Sequence, residues 1–198
     1  MSKIFVIMGK SASGKDTIFK RLIQDKKLDL KIVVPYTTRP IREGEMEGVE
    51  YHFVDDARLY ELKKQNKVIE HRAYETIHGL WNYFTVDDEQ IDLIHENYLM
   101  IGTLESFLQM KEYYGEDKVV PIYIDLEDGI RLERALEREK LQKEPKYIEM
   151  CRRFLADDKD FSKKRLDEAK VNQHFSNISM EQCLQDIINY INTVLRND

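Results

Sequence analysis

Residues 4–17 read IFVIMGKSASGKDT: five apolar residues are followed by a loop with a glycine at each end, and then by a lysine. The apolar run predicts a buried strand, and the segment from Lys15 onward predicts a helix. Gly9 and Gly14 carry no Cβ, so the backbone can turn tightly and its N–H groups can converge on the oxygens of a polyphosphate. Lys15 adds a positive charge, and the N-terminus of the helix adds its dipole. The stretch therefore predicts a strand, a phosphate-binding loop and a helix that act as one unit.

The loop departs at one position from the phosphate-loop pattern G-x-x-x-x-G-K-[ST]. Asp16 follows the lysine where a hydroxyl residue is usual, and Thr17 comes one residue later. We expect Thr17 to reach Mg²⁺, either directly or through water. The Asp16 carboxylate would repel the phosphates unless it points away or engages Mg²⁺. Both arrangements stay open, and our hypothesis is that Asp16 aids metal placement.

The composition limits the classes of protein to which the chain can belong. With 198 residues, it can form one domain with a sizeable core, and it has no apolar run near the ~20 residues of a membrane-spanning helix. The formal net charge of -6 argues against a general nucleic-acid binder. Cys151 and Cys183 lack metal-ligand spacing, so we expect reduced thiols and no structural metal. The first strand follows Lys3 directly, which leaves no room for a secretory signal, and we expect a cytoplasmic protein.

Strand and helix patterns alternate along most of the chain. Apolar runs predict strands at residues 32–34, 98–101 and 119–124. Apolar spacing predicts helices between them and at the C-terminus, and the apolar residues at 91–94 suggest a further helix that returns to the core. This alternation predicts a parallel α/β sheet.

Two arginines downstream of the phosphate loop predict a second anion site. Residues 37–53 contain TTRPIREGE and, after two residues, GVEYHF. The guanidinium groups of Arg39 and Arg42 can grip a phosphate bidentately. This segment resembles T-T-R-x-P-R-x-G-E-x-x-G-x-x-Y-x-F of the guanylate kinase family, which follows the phosphate loop in the same order. The resemblance implies that Arg39, Arg42 and Tyr51 hold the phosphate of a nucleoside monophosphate, and that Thr37 faces a guanine base.

Two further segments resemble parts of the family's acceptor site. Residues 68–74 stand where the family has F-[IL]-E-W-A, which implies that Glu70 accepts hydrogen bonds from the guanine edge. The alternative is an exposed strand glutamate. Residues 79–85 stand where the family has G-N-Y-Y-G-T, which implies that Tyr83, or alternatively Tyr74, supplies a second phenol to the phosphate.

The largest departure from the family lies at residues 101–106. The family has L-D-I-D-x-Q-G around this strand end, whereas this chain has IGTLES. Either Glu105 substitutes for the acid that contacts guanine or the site has lost it. We place Thr103 beside the substrate, and the base preference stays open.

Arg131, Arg134 and Arg138 recur at intervals of three and four residues. Such a run is usually a solvated, ion-paired helix face. The resemblance implies instead a lid, whose arginines close over the transferring phosphate. Arg138, with Arg152 or Arg153 from the next helix, are the candidates.

The last resemblance concerns the donor nucleotide. Residues 175–177 stand where the family has V-I-x-N, which implies that the asparagine lies near the adenine of ATP. The residues expected to contact ATP are Gly9, Ser11, Ser13, Gly14, Lys15, Asp16, Thr17 and Asn177. The residues expected to act in the transfer itself are Lys15, Arg39, Arg138 and Arg153.

The resemblance implies one guanylate-kinase-like domain over residues 1–198. Its fold would be the three-layer α/β fold of P-loop kinases, with a mainly parallel sheet, an inserted small lobe that binds the nucleoside monophosphate, and a helical lid. The core would comprise residues 1–35, 86–127 and 165–198, the small lobe residues 36–85, and the lid residues 128–164. The implied activity is phosphoryl transfer from ATP to a nucleoside monophosphate, GMP foremost, with Mg²⁺.

Two other functions stay open. One is a non-catalytic guanylate-kinase-like module that binds a phosphopeptide, and the other is a related kinase with a different acceptor. Retention of Gly9, Gly14, Lys15 and Thr17 favours an enzyme, because a peptide binder would not need them. We expect small nucleotide substrates as partners, no nucleic acid, no membrane, and a monomer or a homodimer.

Overall fold

The computed structural model describes residues 2–76 and 79–197 of the chain. The predicted domain limits at Met1 and Asp198 lie outside the described residues. The strands are, in chain order, β1 (Ile4–Met8), β2 (Leu30–Ile32), β3 (Tyr36–Thr37), β4 (His52–Phe53), β5 (Val68–Thr76), β6 (Gly79–Val86), β7 (Asn97–Ile101), β8 (Val119–Asp125) and β9 (His174–Ser176). The helices are α1 (Lys15–Gln24), α2 (Asp56–Lys64), α3 (Leu104–Tyr114), α4 (Asp128–Lys140), α5 (Tyr147–Asp160), α6 (Lys163–Glu168) and α7 (Met180–Arg196).

The central sheet consists of parallel strands in the order β2-β7-β1-β8-β9. β1 lies in the middle of this sheet and is buried along its whole length. Its side chains alternate between the two faces: Ile4 and Val6 join the core beside α3, whereas Phe5 and Ile7 join the core beside α1 and α7. Helices therefore cover both faces, and the prediction of a three-layer α/β fold with a mainly parallel sheet is confirmed.

A second sheet, with strand order β4-β3-β6-β5, is inserted between β2 and β7 in the sequence. β3 is parallel to β4, and the β3–β6 and β5–β6 pairs are antiparallel. One face of this sheet is covered by α2, through Leu59 and Leu62 packed on Phe84 and Val86. Because strand side chains alternate, the opposite face is free to carry polar and aromatic residues. We call residues 36–85, which contain this sheet, the acceptor lobe.

Two local predictions are wrong. Residues 91–94 form no helix but bends and turns. The Asp92 carboxylate accepts hydrogen bonds from the N–H of Ile94, at 2.9 Å, and from the His95 ring, at 2.7 Å, and such local bonds compete with helix formation. The strand predicted at residues 32–34 lies two residues earlier in the structure, where β2 spans Leu30–Ile32. None of the described helices is long and apolar enough to cross a membrane.

Candidate active site

The phosphate loop, residues 9–17, connects β1 to α1. Gly14 stands at the N-cap of α1 with a φ of +88°, a left-handed conformation that favours glycine. No side chain in the described part of the chain caps this helix, and the Thr17 N–H bonds the Gly14 carbonyl, so the N–H groups of Lys15 and Asp16 are the first-turn donors left for an anion. A Cβ on Gly9 would lie 2.7 Å from the carbonyl oxygen of Ile124, so this position also requires glycine. The backbone of the loop therefore fits a polyphosphate.

Asn177 supports the phosphate loop from behind. Its side chain is fully buried, and Nδ2 donates a hydrogen bond to the carbonyl oxygen of Ser13 at 2.7 Å. The backbone N–H of Asn177 donates to the carbonyl of Asp125 at the end of β8, at 2.9 Å. These bonds fix the loop to the central sheet, while the contact of Asn177 with adenine remains a prediction.

The peptide of Ser11 in the loop is held from both sides by α4 and α5, the helices of the predicted lid. Its N–H donates to the Asp157 carboxylate of α5 at 2.6 Å, and its carbonyl accepts from Nη1 of Arg131 on α4 at 3.1 Å. Arg131 is fully buried, pairs with Asp128 at 2.6 Å, and stacks on the Phe154 ring at 4.5 Å. Sequence reasoning missed this clamp, because the arginine spacing on α4 does not tell which arginine faces inward.

Lys15, Asp16 and Thr17 begin α1. The ammonium of Lys15 lies 3.7 Å from the Asp16 carboxylate, which is 70% exposed. Thr17 is exposed, and its N–H donates to the carbonyl of Gly14 at 3.1 Å. Within residues 2–76 and 79–197, no cluster of three histidine, cysteine or acidic side chains forms a metal site.

One face of the acceptor-lobe sheet gathers three of the seven predicted substrate residues, Thr37, Glu70 and Tyr83. Residues paired directly across antiparallel strands share a face, and the pairing register places Glu70 opposite Thr85, and both Arg72 and Thr37 opposite Tyr83. We call this side, turned away from α2, the acceptor face. Its residues are Thr37, Glu70, Arg72, Tyr74, Trp81, Tyr83 and Thr85.

The tyrosines of this region form a cluster. The rings of Tyr51 and Tyr74 each lie edge-on to the Tyr83 ring, with centroids 5.7 Å apart in both pairs. Burial raises the pKa of the Tyr51 and Tyr74 phenols, so both keep their protons at neutral pH. Tyr83 and Tyr74 both belong to the acceptor face, and the choice between them as phosphate ligand remains a prediction.

The two predicted phosphate arginines have different environments. Arg39 is only 4% exposed, and it pairs with both oxygens of Glu45, at 2.6 and 2.7 Å, beneath the Tyr51 ring. Those hydrogen bonds hold the pKa of the Glu45 carboxyl below its ordinary value. Arg42 is exposed, and its guanidinium lies 5.9 Å from the Trp81 ring centre. The structure thus gives Arg39 an anchored position and leaves Arg42 accessible.

Glu70 is buried, which excludes the alternative of an exposed strand glutamate. Nε of Arg72 donates to its Oε2 at 2.9 Å, and Nη2 of Arg72 donates to its Oε1 at 3.1 Å. The hydroxyl of Thr85 also donates to Oε1, at 2.9 Å. Arg72 was missed by the sequence reasoning, although the position holds alanine in the family pattern and the alternation of β5 puts it beside Glu70.

The strand end that lacks the family's acids starts α3. The Thr103 hydroxyl caps this helix, accepting from the N–H of Ser106 at 3.2 Å, and the Thr103 N–H donates to the Ser106 hydroxyl at 2.8 Å. The Glu105 carboxylate is exposed. Burial raises the pKa of the Tyr74 phenol, and the negative charge of Glu105 raises this pKa further. Thr103 therefore has a structural role, and Glu105 is the acid that faces the acceptor lobe from α3.

An open cleft of about 1480 Å³ separates the acceptor lobe from the lid. Arg42 and Trp81 line it from the acceptor lobe, and Arg138 and Arg153 line it from α4 and α5. Arg152 pairs with Glu149 at 2.7 Å and does not line the cleft. Of the two arginines left open on α5, Arg153 is thus the one that shares a cavity with Arg138.

The sequence of this chain is similar to those of known guanylate kinases. The family model of guanylate kinase matches residues 1–101. A guanylate kinase of Syntrophomonas wolfei is 33% identical over 121 residues, which cover 61% of this chain and 60% of that protein. A guanylate kinase of Mycoplasma pneumoniae is 34% identical over 125 residues, which cover 62% of this chain and 50% of that protein. The chain thus matches only about half to three fifths of the length of these relatives.

The fold agrees with a solved structure over a longer span. The crystal structure of guanylate kinase from Anaplasma phagocytophilum matches with a TM-score of 0.64 at 21% identity, covering 97% of this chain and 85% of that chain. This likeness concerns the three-layer fold alone. The family model extends over just over half of the chain and includes the phosphate loop and the whole acceptor lobe. The chain therefore belongs to the guanylate kinase family.

Proposed function

We propose that this protein is a guanylate kinase that transfers the terminal phosphoryl group of ATP to GMP, giving ADP and GDP. The observation that carries the proposal is the acceptor face. It brings Thr37, Glu70 and Tyr83 together on one side of a small sheet, in a chain that also holds a phosphate loop. Two anion sites in one chain suit phosphoryl transfer, in which the protein aligns donor and acceptor and does little covalent work.

The donor phosphates would bind to the phosphate loop. The uncapped N-terminus of α1 supplies N–H donors and a positive dipole, and Lys15 supplies a point charge. Gly9 and Gly14 allow the backbone of the loop to pack closely against Ile124 and Asn177, which holds its N–H groups in place. Mg²⁺, when bound, would neutralise charge on the phosphate oxygens, and the hydroxyl of Thr17, in the first turn of α1, would hold it directly or through water.

The acceptor phosphate would bind between the tyrosine cluster and the arginines. The Tyr51 phenol is a hydrogen-bond donor at neutral pH, because burial raises its pKa. Arg39 is held against Tyr51 by Glu45, which leaves its guanidinium fixed before any ligand arrives. Arg42 is free to close on the phosphate from the solvent side. A fixed donor set of this kind lowers the entropy cost of orienting the acceptor.

The lid would complete the site when it moves toward the acceptor lobe. Arg138 and Arg153 line the same cleft as Arg42, so a narrower cleft would bring three guanidinium groups around the transferred phosphoryl group. Positive charge placed there stabilises the transition state, and exclusion of water limits hydrolysis of ATP. We place the protein in the cytoplasm, acting on small nucleotides as a monomer or a homodimer.

An ATP-consumption assay with GMP, dGMP, AMP, UMP and CMP tests the proposal. We expect turnover with GMP and a loss of about 10³-fold or more in Lys15→Ala, since this change removes an oriented charge. Lys20→Ala, which removes an exposed lysine on the same helix, is the matched control and should retain activity. If turnover occurs only with another nucleotide, that nucleotide replaces GMP as the proposed acceptor. Absence of turnover with every acceptor, together with binding of a phosphopeptide, would favour the non-catalytic module.

A further inference from the structure

Arg72, and not Glu70, is the charged group that the acceptor face presents to a ligand. The Glu70 side chain is 0% exposed, whereas the Arg72 side chain is 10% exposed. Glu70 therefore lies beneath Arg72, and a base entering the acceptor lobe would meet the guanidinium first. Arg72 occupies the position of the small alanine in the family pattern, so this covering of the glutamate is a property of this chain.

The hydrogen bonds of the pair leave Arg72 with donors to spare. A guanidinium has five N–H groups; Glu70 takes one from Nε and one from Nη2, and the Tyr74 phenol accepts a third, which leaves two. Oε1 of Glu70 already accepts two hydrogen bonds, from Arg72 and Thr85. The carboxylate is thus largely satisfied inside the protein, and it fixes the plane of the guanidinium.

The other base-facing groups of the family pattern are committed to the protein itself. The Thr37 hydroxyl donates its proton to the carbonyl oxygen of Asn82 at 2.8 Å, so it has none left for a base. The Thr103 hydroxyl caps α3, and the acids that precede it in the family pattern are absent. Arg72 is therefore the charged group on this face that keeps N–H donors for a base, beside the phenols of Tyr74 and Tyr83, which are the predicted phosphate ligands.

The charge of Arg72 is balanced by a bidentate carboxylate at 2.9 and 3.1 Å, so the pair adds no net positive charge to the site. A neutral pair with free N–H groups suits recognition of uncharged acceptor atoms. In nucleic acids, the base edge that a planar guanidinium contacts most often is O6 and N7 of guanine.

We propose that Arg72, oriented by the buried Glu70, selects the acceptor base by donating hydrogen bonds to O6 and N7 of a 6-oxopurine. This inference rests on the proposed function and specifies its substrate class. Recognition through O6 and N7 makes no use of the 2-amino group of guanine. GMP and IMP should therefore bind alike. AMP should be rejected, because its 6-amino group places a donor against the donors of Arg72.

Calorimetric titration of the whole chain with GMP, IMP and AMP tests the inference without requiring turnover. We expect dissociation constants for GMP and IMP within about 10-fold, and AMP weaker by about 100-fold or more, as for a site whose polar groups would be left unpaired. A preference for GMP over IMP of more than about 100-fold would overturn the inference. Tight binding of GMP without phosphoryl transfer would instead count against the proposed function alone.

Substitution of Arg72 separates base selection from folding. Arg72→Ala restores the family pattern and uncovers Glu70, whose oxygens can then accept from N1–H and the 2-amino group of guanine. We expect this variant to prefer GMP over IMP by about 10-fold more than the wild type does. An unchanged ratio in a folded Arg72→Ala protein would refute the inference. Arg58→Ala, an exposed arginine on α2 behind the same sheet, is the matched control and should keep the wild-type ratio.

Arg72→Lys covers the case in which the alanine variant does not fold. Lysine keeps the positive charge next to Glu70 but lacks the planar fork. We expect this variant to melt near the wild-type temperature and to discriminate less against AMP. The loss of discrimination should appear as a change in the KM for the acceptor and not in kcat. Wild-type discrimination in Arg72→Lys would show that the fork does not contact the base.

Discussion

Replacement of Gly14 by alanine should destabilise the phosphate loop through Asn177. A Cβ at residue 14 would lie 2.3 Å from Nδ2 of Asn177, well inside contact distance. Asn177 is fully buried, so it cannot yield without losing its hydrogen bond to the Ser13 carbonyl. Leaving such a buried group unsatisfied costs about 1–3 kcal/mol. The left-handed φ of +88° adds about 1–2 kcal/mol for any residue with a Cβ.

The two contributions can be separated with a matched glycine. Gly44 has a nearly equal φ of +84°, and a Cβ there would have no atom within 4 Å among the described residues. Gly44→Ala should therefore show the backbone contribution alone, about 1–2 kcal/mol. Gly14→Ala should lose about 2–5 kcal/mol in total, because it adds the displacement of Asn177.

Urea denaturation followed by far-UV circular dichroism measures both free energies of unfolding. A third variant, Gly14→Ala with Asn177→Ala, tests the cause, since removal of the amide removes the clash. We expect the double variant to be more stable than the sum of the two single changes predicts, by about 1 kcal/mol or more. Equal losses in Gly14→Ala and Gly44→Ala, together with additivity in the double variant, would refute the role of Asn177 as the support of the loop.

Three further changes test other parts of the site. Arg131→Met should lower the free energy of unfolding by about 1–3 kcal/mol and raise the KM for ATP, because it removes the fully buried donor to the Ser11 carbonyl of the loop; urea denaturation and initial rates measure the two effects. The pairing with Arg39 holds the pKa of the Glu45 carboxyl below its ordinary value of 4.5. The pair therefore stabilises the folded protein above pH 4.5, and this stabilisation is lost as the pH falls through the lowered pKa. Melting temperatures between pH 6 and 3 should accordingly fall less steeply in Glu45→Gln than in the wild type. If Asp16 aids metal placement, Asp16→Gly should need more Mg²⁺ for half-maximal activity, and an unchanged Mg²⁺ titration would end that hypothesis.

Local sequence signals predicted the parts of the fold that local physics determines. The apolar run of β1, the glycines of the loop and the start of α1 follow from burial and backbone freedom over a few residues, and the structure has each of them. The helix expected at residues 91–94 failed because apolar spacing alone takes no account of the Asp92 carboxylate, which bonds its own neighbours.

Side-chain environment was harder to predict than position. Arg39 and Arg42 look alike in the sequence, yet Arg39 is buried between Glu45 and the Tyr51 ring, whereas Arg42 is exposed. The alternation of β5 predicts that Glu70 and Arg72 share a face. It does not predict which of the two covers the other, since that depends on Thr85 of the neighbouring strand.

The charges of the phosphate loop illustrate the same difference between sequence and structure. Counted along the chain, Lys10 and Lys15 make the loop basic. In the structure, Lys10 pairs with Asp158 at 2.6 Å, and Lys15 lies 3.7 Å from Asp16, so each lysine has a carboxylate beside it. Fixed attraction for a polyphosphate therefore rests more on the backbone N–H groups and the helix dipole than on the number of lysines. It follows that a change that alters loop geometry, such as Gly14→Ala, should weaken nucleotide binding more than neutralisation of Lys10, whose charge is already paired.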